Sequence, residues 1–290
     1  MSGARNEAAG PPAPRRASWA RVATAVILAP VTLAAVWLAP GAWFAALAAG
    51  VAGLAAAEFY HLAERAGVRP YAGLGVAAAA GVTLALGWPG AKAAEAVVML
   101  ATAGVTLRAL SQSARMAASF ADAGATLLGA LYVGLGIGAA AAVRDRFAEQ
   151  TQGAAWVTLL LAVVWLGDVA ALYAGKAWGH AKMAPQVSPH KTWVGAAASL
   201  GAAAAVAAVA GARWPGIFER GGGSWWSMAL LGAGLNVAAQ AGDLAESVFK
   251  RGAGVKDSGG LLPGHGGMLD RMDALLLAAP ALWLFLAVWR

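Results

Sequence analysis

Nine stretches of roughly 20 mostly apolar residues, the length an α-helix needs to cross the hydrocarbon core of a bilayer, occupy most of this 290-residue chain. They run over 19–39, 41–57, 71–88, 93–110, 123–143, 153–174, 193–212, 225–245 and 273–289. In lipid every backbone N–H and C=O must be satisfied internally, so such stretches become helices packed on one another. The predicted fold class is all-α, a polytopic transmembrane helical bundle of about nine spans. Composition excludes the alternatives. Hydrophobic residues make up 60% and charged residues 12%, with a mean hydropathy of +0.64. A soluble domain holds roughly 45–50% and 25%, and these charges are too few to cover one of this size. Cysteine is absent, so neither disulfide nor thiolate–metal chemistry is available, and the 38 glycines follow no Gly-X-Y period.

The formal charge of +7 would suggest nucleic acid in a soluble chain. In a membrane chain basic residues report orientation instead, and no nucleic-acid partner is expected. With a cytoplasmic N-terminus, the inside segments carry fifteen basic residues: Arg5, Arg15, Arg16, Arg21, Arg65, Arg69, Arg108, Arg115, Lys176, Lys182, Lys191, Lys250, Arg251, Lys256 and Arg271. Six fall outside: Lys92, Arg144, Arg146, Arg213, Arg220 and Arg290. This asymmetry predicts the N-terminus inside and the C-terminus outside. The first apolar run continues through Trp37 to Pro40 without a convincing cleavage site, so it is expected to remain as a helix. Residues 1–18 are expected to form a disordered cytoplasmic tail, 19–150 the N-terminal transmembrane helices, and 151–290 a C-terminal transmembrane catalytic region.

Most connections are short. Two on the predicted cytoplasmic side, 175–192 and 246–272, are long and concentrate Gly, Pro, His, Lys and carboxylates; long polar loops of this kind are usually functional. Asp243, Glu246, Asp257, Asp270 and Asp273 crowd this region, and carboxylates at a membrane helix end are costly unless paired, hydrated or metal-bound. Asp243, Glu246, Ser247, Lys250 and Arg251 share one face if the eighth span continues as a helix, and Asp270 and Asp273 are one turn apart at the start of the ninth. An all-oxygen donor set favours Mg²⁺ or Mn²⁺ over zinc. The glycines of 252–267, including Gly266 and Gly267, bring backbone N–H groups close to an anion, and Lys250, Arg251, Lys256 and Arg271 add positive charge. That combination suits a polyphosphate carried by Mg²⁺. No Walker A pattern occurs there. The same residues admit a purely structural role: Lys250 paired with Asp243 or Glu246, a solvated His265, and a generic glycine-rich connector.

Upstream, 175–192 contains Lys176, His180, Lys182 and the run Ser188-Pro189-His190-Lys191-Thr192. Its hydroxyl and basic groups can bind phosphate near a helix start, or act only as a positive-inside anchor. Asp168, isolated in the sixth apolar stretch, is either buried in the bundle or lines a polar cavity, and both point to function. Glu58 and His61, near the end of the second stretch, read as interfacial, with a role in the site as the lesser alternative.

The run from Ser247 through Lys250-Arg251, Lys256-Asp257-Ser258-Gly259 and Leu262-Pro263-Gly264-His265-Gly266-Gly267 to Asp270-Arg271-Met272-Asp273 resembles the signature of the phosphatidate cytidylyltransferases, also called CDP-diacylglycerol synthases. The preceding Gly242-Asp243-Leu244-Ala245-Glu246-Ser247 is also similar. The likeness covers most of the chain and is weak over the first 150 residues. One departure stands out. That family usually carries Ser-Pro-Lys-Lys-Thr-x-Glu-Gly upstream, whereas His190 and Val194 here replace a lysine and the glutamate.

The resemblance implies transfer of a cytidylyl group from CTP to phosphatidate, giving CDP-diacylglycerol and pyrophosphate in phospholipid biosynthesis. It implies Asp243 and Asp270 as metal ligands for Mg²⁺, with one or two cations, and Asp273 and Asp257 as nearer second choices than Glu246. Lys250, Arg251, Lys256 and Arg271 would hold phosphates, and His265 would position the nucleotide or the leaving pyrophosphate. Asp168, Lys176, Ser188, Lys191, Thr192, Ser247, Gly266 and Gly267 would complete the substrate site. The expected partners are CTP, phosphatidate and the lipid bilayer, with a homodimer left open. The expected location is a bacterial inner membrane with the site facing the cytoplasm. A transporter would also use Asp168 and Asp243, but would not gather charge in two loops at one end. A CDP-alcohol phosphotransferase would carry Asp-Gly-x2-Ala-Arg, which is absent.

Overall fold

A computed structural model describes residues 15–88, 93–111, 116–222, 224–261 and 266–288, with the side chains of 15–25 not included. Met1 to Pro14, Lys92, Arg115, His265 and Arg290 therefore lie outside the described residues. The protein is helical: α1 Arg15–Leu38, α2 Gly41–Arg65, α3 Ala72–Gly87, α4 Ala94–Leu110, α5 Met116–Asp145, α6 Gln150–Trp178, α7 Trp193–Arg213, α8 Trp225–Gly252, α9 Leu269–Met272 and α10 Leu275–Val288. A short hairpin, β1 Lys182–Ala184 and β2 Ser188–Thr192, joins α6 to α7.

Each of the nine apolar stretches coincides with a helix. Among the described residues α2, α5, α6 and α7 are long and apolar enough to cross a membrane, while α3, α10 and the Val26–Leu38 part of α1 are shorter apolar helices. The chain is an integral membrane protein. Helix α8 is long but is not among these spans, because its second half carries Asn236, Gln240, Asp243 and Glu246. Helix α1 already includes Arg15 to Ser18, which shortens the expected tail.

Among the described residues two large cores hold the bundle, beside a small third cluster of Ala78, Ala101 and Ala130. One gathers α6, α7, α8 and α10 around Trp156, Leu160, Leu235 and Leu282; the other gathers α2, α3, α5 and α9 around Ala56, Tyr60, Ile137 and Leu269. Helix α10 belongs to both, through Leu276 in the second and Leu286 in the first. Lipid tails are as apolar as leucine, so close approach of small residues, rather than escape from water, drives such packing. A Cβ at Gly232 would lie 2.5 Å from the Ala203 carbonyl oxygen, so α7 and α8 meet backbone to backbone there.

The ends of the bundle separate cleanly. At one end Arg144 is 1% exposed and donates from Nε to the Val36 carbonyl at 3.1 Å and from Nη2 to the Ala39 carbonyl. Arg146 donates to the Leu286 carbonyl at 2.8 Å and Gln152 to the Ile217 carbonyl at 3.0 Å. Arg144 and Arg146, read from sequence as orientation signals, thus also satisfy carbonyls at the ends of other helices. The opposite end collects the C-terminal ends of α2, α6 and α8, the start of α7, and α9.

Candidate active site

Both predicted loops are partly built from regular elements, while 253–261 and 266–268 remain irregular. Residues 175–192 begin in the last turn of α6 and continue as the antiparallel hairpin, with Lys182 opposite Thr192 and Ala184 opposite Ser188. The Pro185–Val187 turn brings the chain back so that Thr192 caps α7, its Oγ1 accepting the Gly195 N–H at 3.1 Å. Residues 246–252 extend α8, as the polar stripe requires, and Asp270 sits on the separate one-turn α9. Asp273 occupies the joint between α9 and α10, ahead of the helix it was expected to begin.

Lys250 is the hub. Its Nζ donates to Glu246 Oε2 at 2.8 Å, one turn back on α8, and to Asp270 Oδ1 at 2.7 Å. Carboxylates from the two helix ends therefore converge, on an ammonium group. The structural alternative for Lys250 is borne out for Glu246. Asp243 pairs instead with Lys191 of the hairpin, at 2.6 Å, and receives the Ser247 hydroxyl at 3.5 Å. The glycine at 242 permits this crowding: a Cβ there would lie 2.4 Å from the Asp273 carbonyl oxygen.

Asp270 also accepts the Ser258 N–H at 2.9 Å, the Ser258 hydroxyl at 3.0 Å and the Gly267 N–H at 2.8 Å. Burial alone would raise its carboxyl, but the Lys250 ammonium and the Gly267 and Ser258 donors outweigh burial and hold it below the ordinary carboxylate range. Gly266 turns the chain with φ of 79°, a conformation glycine adopts without strain. At Gly267 any Cβ would collide with Glu58 and Ser258. Glu58 is the residue sequence reasoning undervalued. From α2 its carboxylate accepts the Ser258 hydroxyl at 2.8 Å and the Met268 and Leu269 N–H groups at 2.9 Å each. Its place just past the second apolar stretch was the available signal.

Beside this cluster lies a cavity of about 250 Å³, lined by Asp168, Lys191, Thr192, Ser199, Asn236 and Asp243 among others. Asp168 therefore lines a polar cavity, the second of its two expected settings. The deeper wall is a polar ladder: Asn236 donates to Ser199 Oγ at 2.9 Å, and Gln240 donates to Asn236 Oδ1 at 2.6 Å. Sequence reading passed over all three, because single polar side chains in apolar stretches carry no spacing signal.

Other predicted residues do not join this centre. Lys176 is exposed on the last turn of α6, and Ser188 stands beside the hairpin turn, paired with Ala184. Arg251 is tied to the Val187 and Val255 carbonyls at 3.1 Å each, bracing hairpin to loop. Lys256, Asp257 and Arg271 are exposed around the cluster. The side chains of Lys256 and Arg271 take no hydrogen bond or ion pair among the described residues.

Among the described residues no group of three or more His, Asp or Glu side chains is arranged to hold a metal ion. The donor chemistry nevertheless fits a hard cation. Asp168, Asp243, Glu246, Asp270 and Asp273 outnumber the lysines Lys191 and Lys250, and Glu246 Oε1 is buried without a hydrogen-bond partner among the described residues. A buried orphan carboxylate oxygen amid surplus negative charge calls for a proton or a cation.

The fold and the site together define a class, a helical membrane bundle with carboxylates, lysines and a tight glycine turn clustered at one end. Residues 19–289 match the Cytidylyltransferase family, and the chain belongs to it. It is similar to the phosphatidate cytidylyltransferase of Brucella suis biovar 1, 39% identical over 141 residues, 49% of this chain and 50% of that protein. It is also similar to the phosphatidate cytidylyltransferase of Bacillus subtilis strain 168, 34% identical over 175 residues, 59% and 61% of the two chains. The chain thus spans about half the length of the Brucella relative it matches.

Proposed function

We propose that this protein transfers the cytidylyl group of CTP to phosphatidate, releasing pyrophosphate and forming CDP-diacylglycerol for phospholipid synthesis. The observation that carries this reading is the convergence of Glu246 and Asp270 on Lys250, next to a cavity that Asp168, Lys191 and Asp243 line. A phosphate oxygen of the lipid attacks the α-phosphorus of CTP, a new P–O bond forms, and the bond to the bridging oxygen breaks with pyrophosphate leaving. The nucleophile is already anionic, so the task is to neutralise and align two negative reactants. Lys191 and Lys250 stand at the cluster, and Lys256 from the loop and Arg271 from α9, both exposed and unpaired among the described residues, can reach a triphosphate. Asp243 and Asp270 would hold Mg²⁺, with the unpartnered Glu246 Oε1 and Asp273 as further candidate donors among the described residues; when bound, the ion would supply the charge neutralisation that lysines alone do not complete. The family's usual lysine and glutamate are replaced by His190 and Val194; His190 lines the cavity, while Val194 is exposed at the start of α7.

The site would lie at the cytoplasmic end of the bundle in a bacterial inner membrane, where soluble CTP and membrane phosphatidate meet. The test is purified protein in detergent with labelled CTP, phosphatidate and Mg²⁺. Pyrophosphate release that needs both substrates, and is lost in Asp270→Asn, is expected. Release without phosphatidate, or full turnover by the variant, rejects the assignment.

A further inference from the structure

A second groove shares no residue with the carboxylate site. It encloses about 890 Å³ where the α2–α3 connection meets the end of α4, and Arg69, Tyr71, Leu74, Leu107, Arg108 and Ser111 line it. Its chemistry is two-sided. Arg69 is exposed, and its guanidinium has no partner among the described residues; the buried Asp122 carboxylate beneath accepts the Arg69 backbone N–H at 2.8 Å and so fixes the main chain. Arg108 is held in place, with Cζ 5.9 Å from the Tyr71 ring centroid and Nη1 donating to Ser111 Oγ at 3.0 Å. Its other donors remain available. Tyr71 is 8% exposed, yet its hydroxyl has no hydrogen-bond partner among the described residues. The opposite wall is apolar, formed by Leu74 and by Leu107, which is 66% exposed.

A ligand for this groove must be anionic at one end and apolar at the other. We propose that it binds an anionic phospholipid, the phosphodiester between Arg69 and Arg108 and an acyl chain along Leu74 and Leu107, as a lipid site separate from the catalytic cavity. Planar guanidinium groups suit phosphate oxygens, and basic pockets between helices at a membrane surface select anionic headgroups. The buried tyrosine hydroxyl supplies a third donor. Two hydrogen bonds through Thr126 lead from the groove toward the site: the Tyr71 N–H donates to Thr126 Oγ1 at 2.8 Å, and the Tyr60 hydroxyl donates to the Thr126 carbonyl at 2.7 Å, two residues along α2 from Glu58.

The test is lipid binding by the purified full chain in detergent, read by native mass spectrometry. Phosphatidylglycerol, which carries no phosphomonoester and so is not the proposed substrate, should bind in preference to phosphatidylcholine. The pair Arg69→Gln/Arg108→Gln should weaken it by roughly 30-fold, about fivefold for each guanidinium. Tyr71→Phe, which keeps the ring under Arg108, should weaken it severalfold. Arg65→Gln, at the same end but outside the groove, should change nothing. Equal loss from Arg65→Gln would mean diffuse surface charge and overturn the site, as would unchanged binding in the double variant. Competition by soluble glycerol 3-phosphate at similar concentration would reassign the groove to a free phosphate ester and overturn the lipid.

Discussion

Glu58 and Leu269 are 211 positions apart in sequence, and the Glu58 carboxylate accepts the Leu269 backbone N–H at 2.9 Å. With Met268 and Ser258 on the same carboxylate, this contact fastens the glycine turn and α9, and therefore Asp270, to the N-terminal half of the bundle.

Removing that fastening should loosen the turn more than the bundle. Hydrogen bonds to a charged group contribute about 1.5–3 kcal/mol each, and some return to water in the variant. Glu58→Ala is expected to cost about 2–4 kcal/mol and to lower turnover steeply, while Glu58→Gln, which keeps one acceptor, should recover part of both. Thermal unfolding in detergent and pyrophosphate release measure the two effects. Wild-type behaviour in the alanine variant would show that the turn holds itself.

Lys250 compensates two nearly inaccessible carboxylates, so Lys250→Met strands both. Breaking a buried pair by removing one partner costs about 3–5 kcal/mol. A marked drop in apparent Tm is expected, and adding Glu246→Gln should restore part of it. An unchanged melting curve for Lys250→Met would remove Lys250 from the centre of the cluster.

Lys256 is exposed and unpaired among the described residues. Surface substitutions of that kind stay within about 0.5 kcal/mol, so Lys256→Ala should leave Tm alone while raising KM for CTP. Steady-state kinetics with CTP varied would refute a phosphate contact if KM did not move.

Surplus carboxylate charge should make the protein respond to divalent ions without any substrate. Mg²⁺ is expected to raise Tm as it saturates its site, chelation should abolish nucleotidyl transfer, and Asp243→Asn should blunt the thermal response. An Asp243→Asn protein as sensitive to Mg²⁺ as the wild type would place the ion elsewhere.

The apolar stretches and the residue types at 243–273 were enough to specify helices, a membrane setting and a charged cluster at one end, because helix periodicity and charge cost in lipid act locally along the chain. The i, i+4 pair of Lys250 with Glu246 was legible for the same reason. Which carboxylate meets which cation was not. Asp243 meets Lys191 only because the hairpin folds back over α8, and Glu58 reaches Ser258 only because α2 packs against α9. The amides of Asn236 and Gln240 gain meaning only where α7 and α8 approach closely enough for a polar ladder. Such contacts depend on helix rotation and packing distance, which many side chains set jointly and no short run of residues encodes.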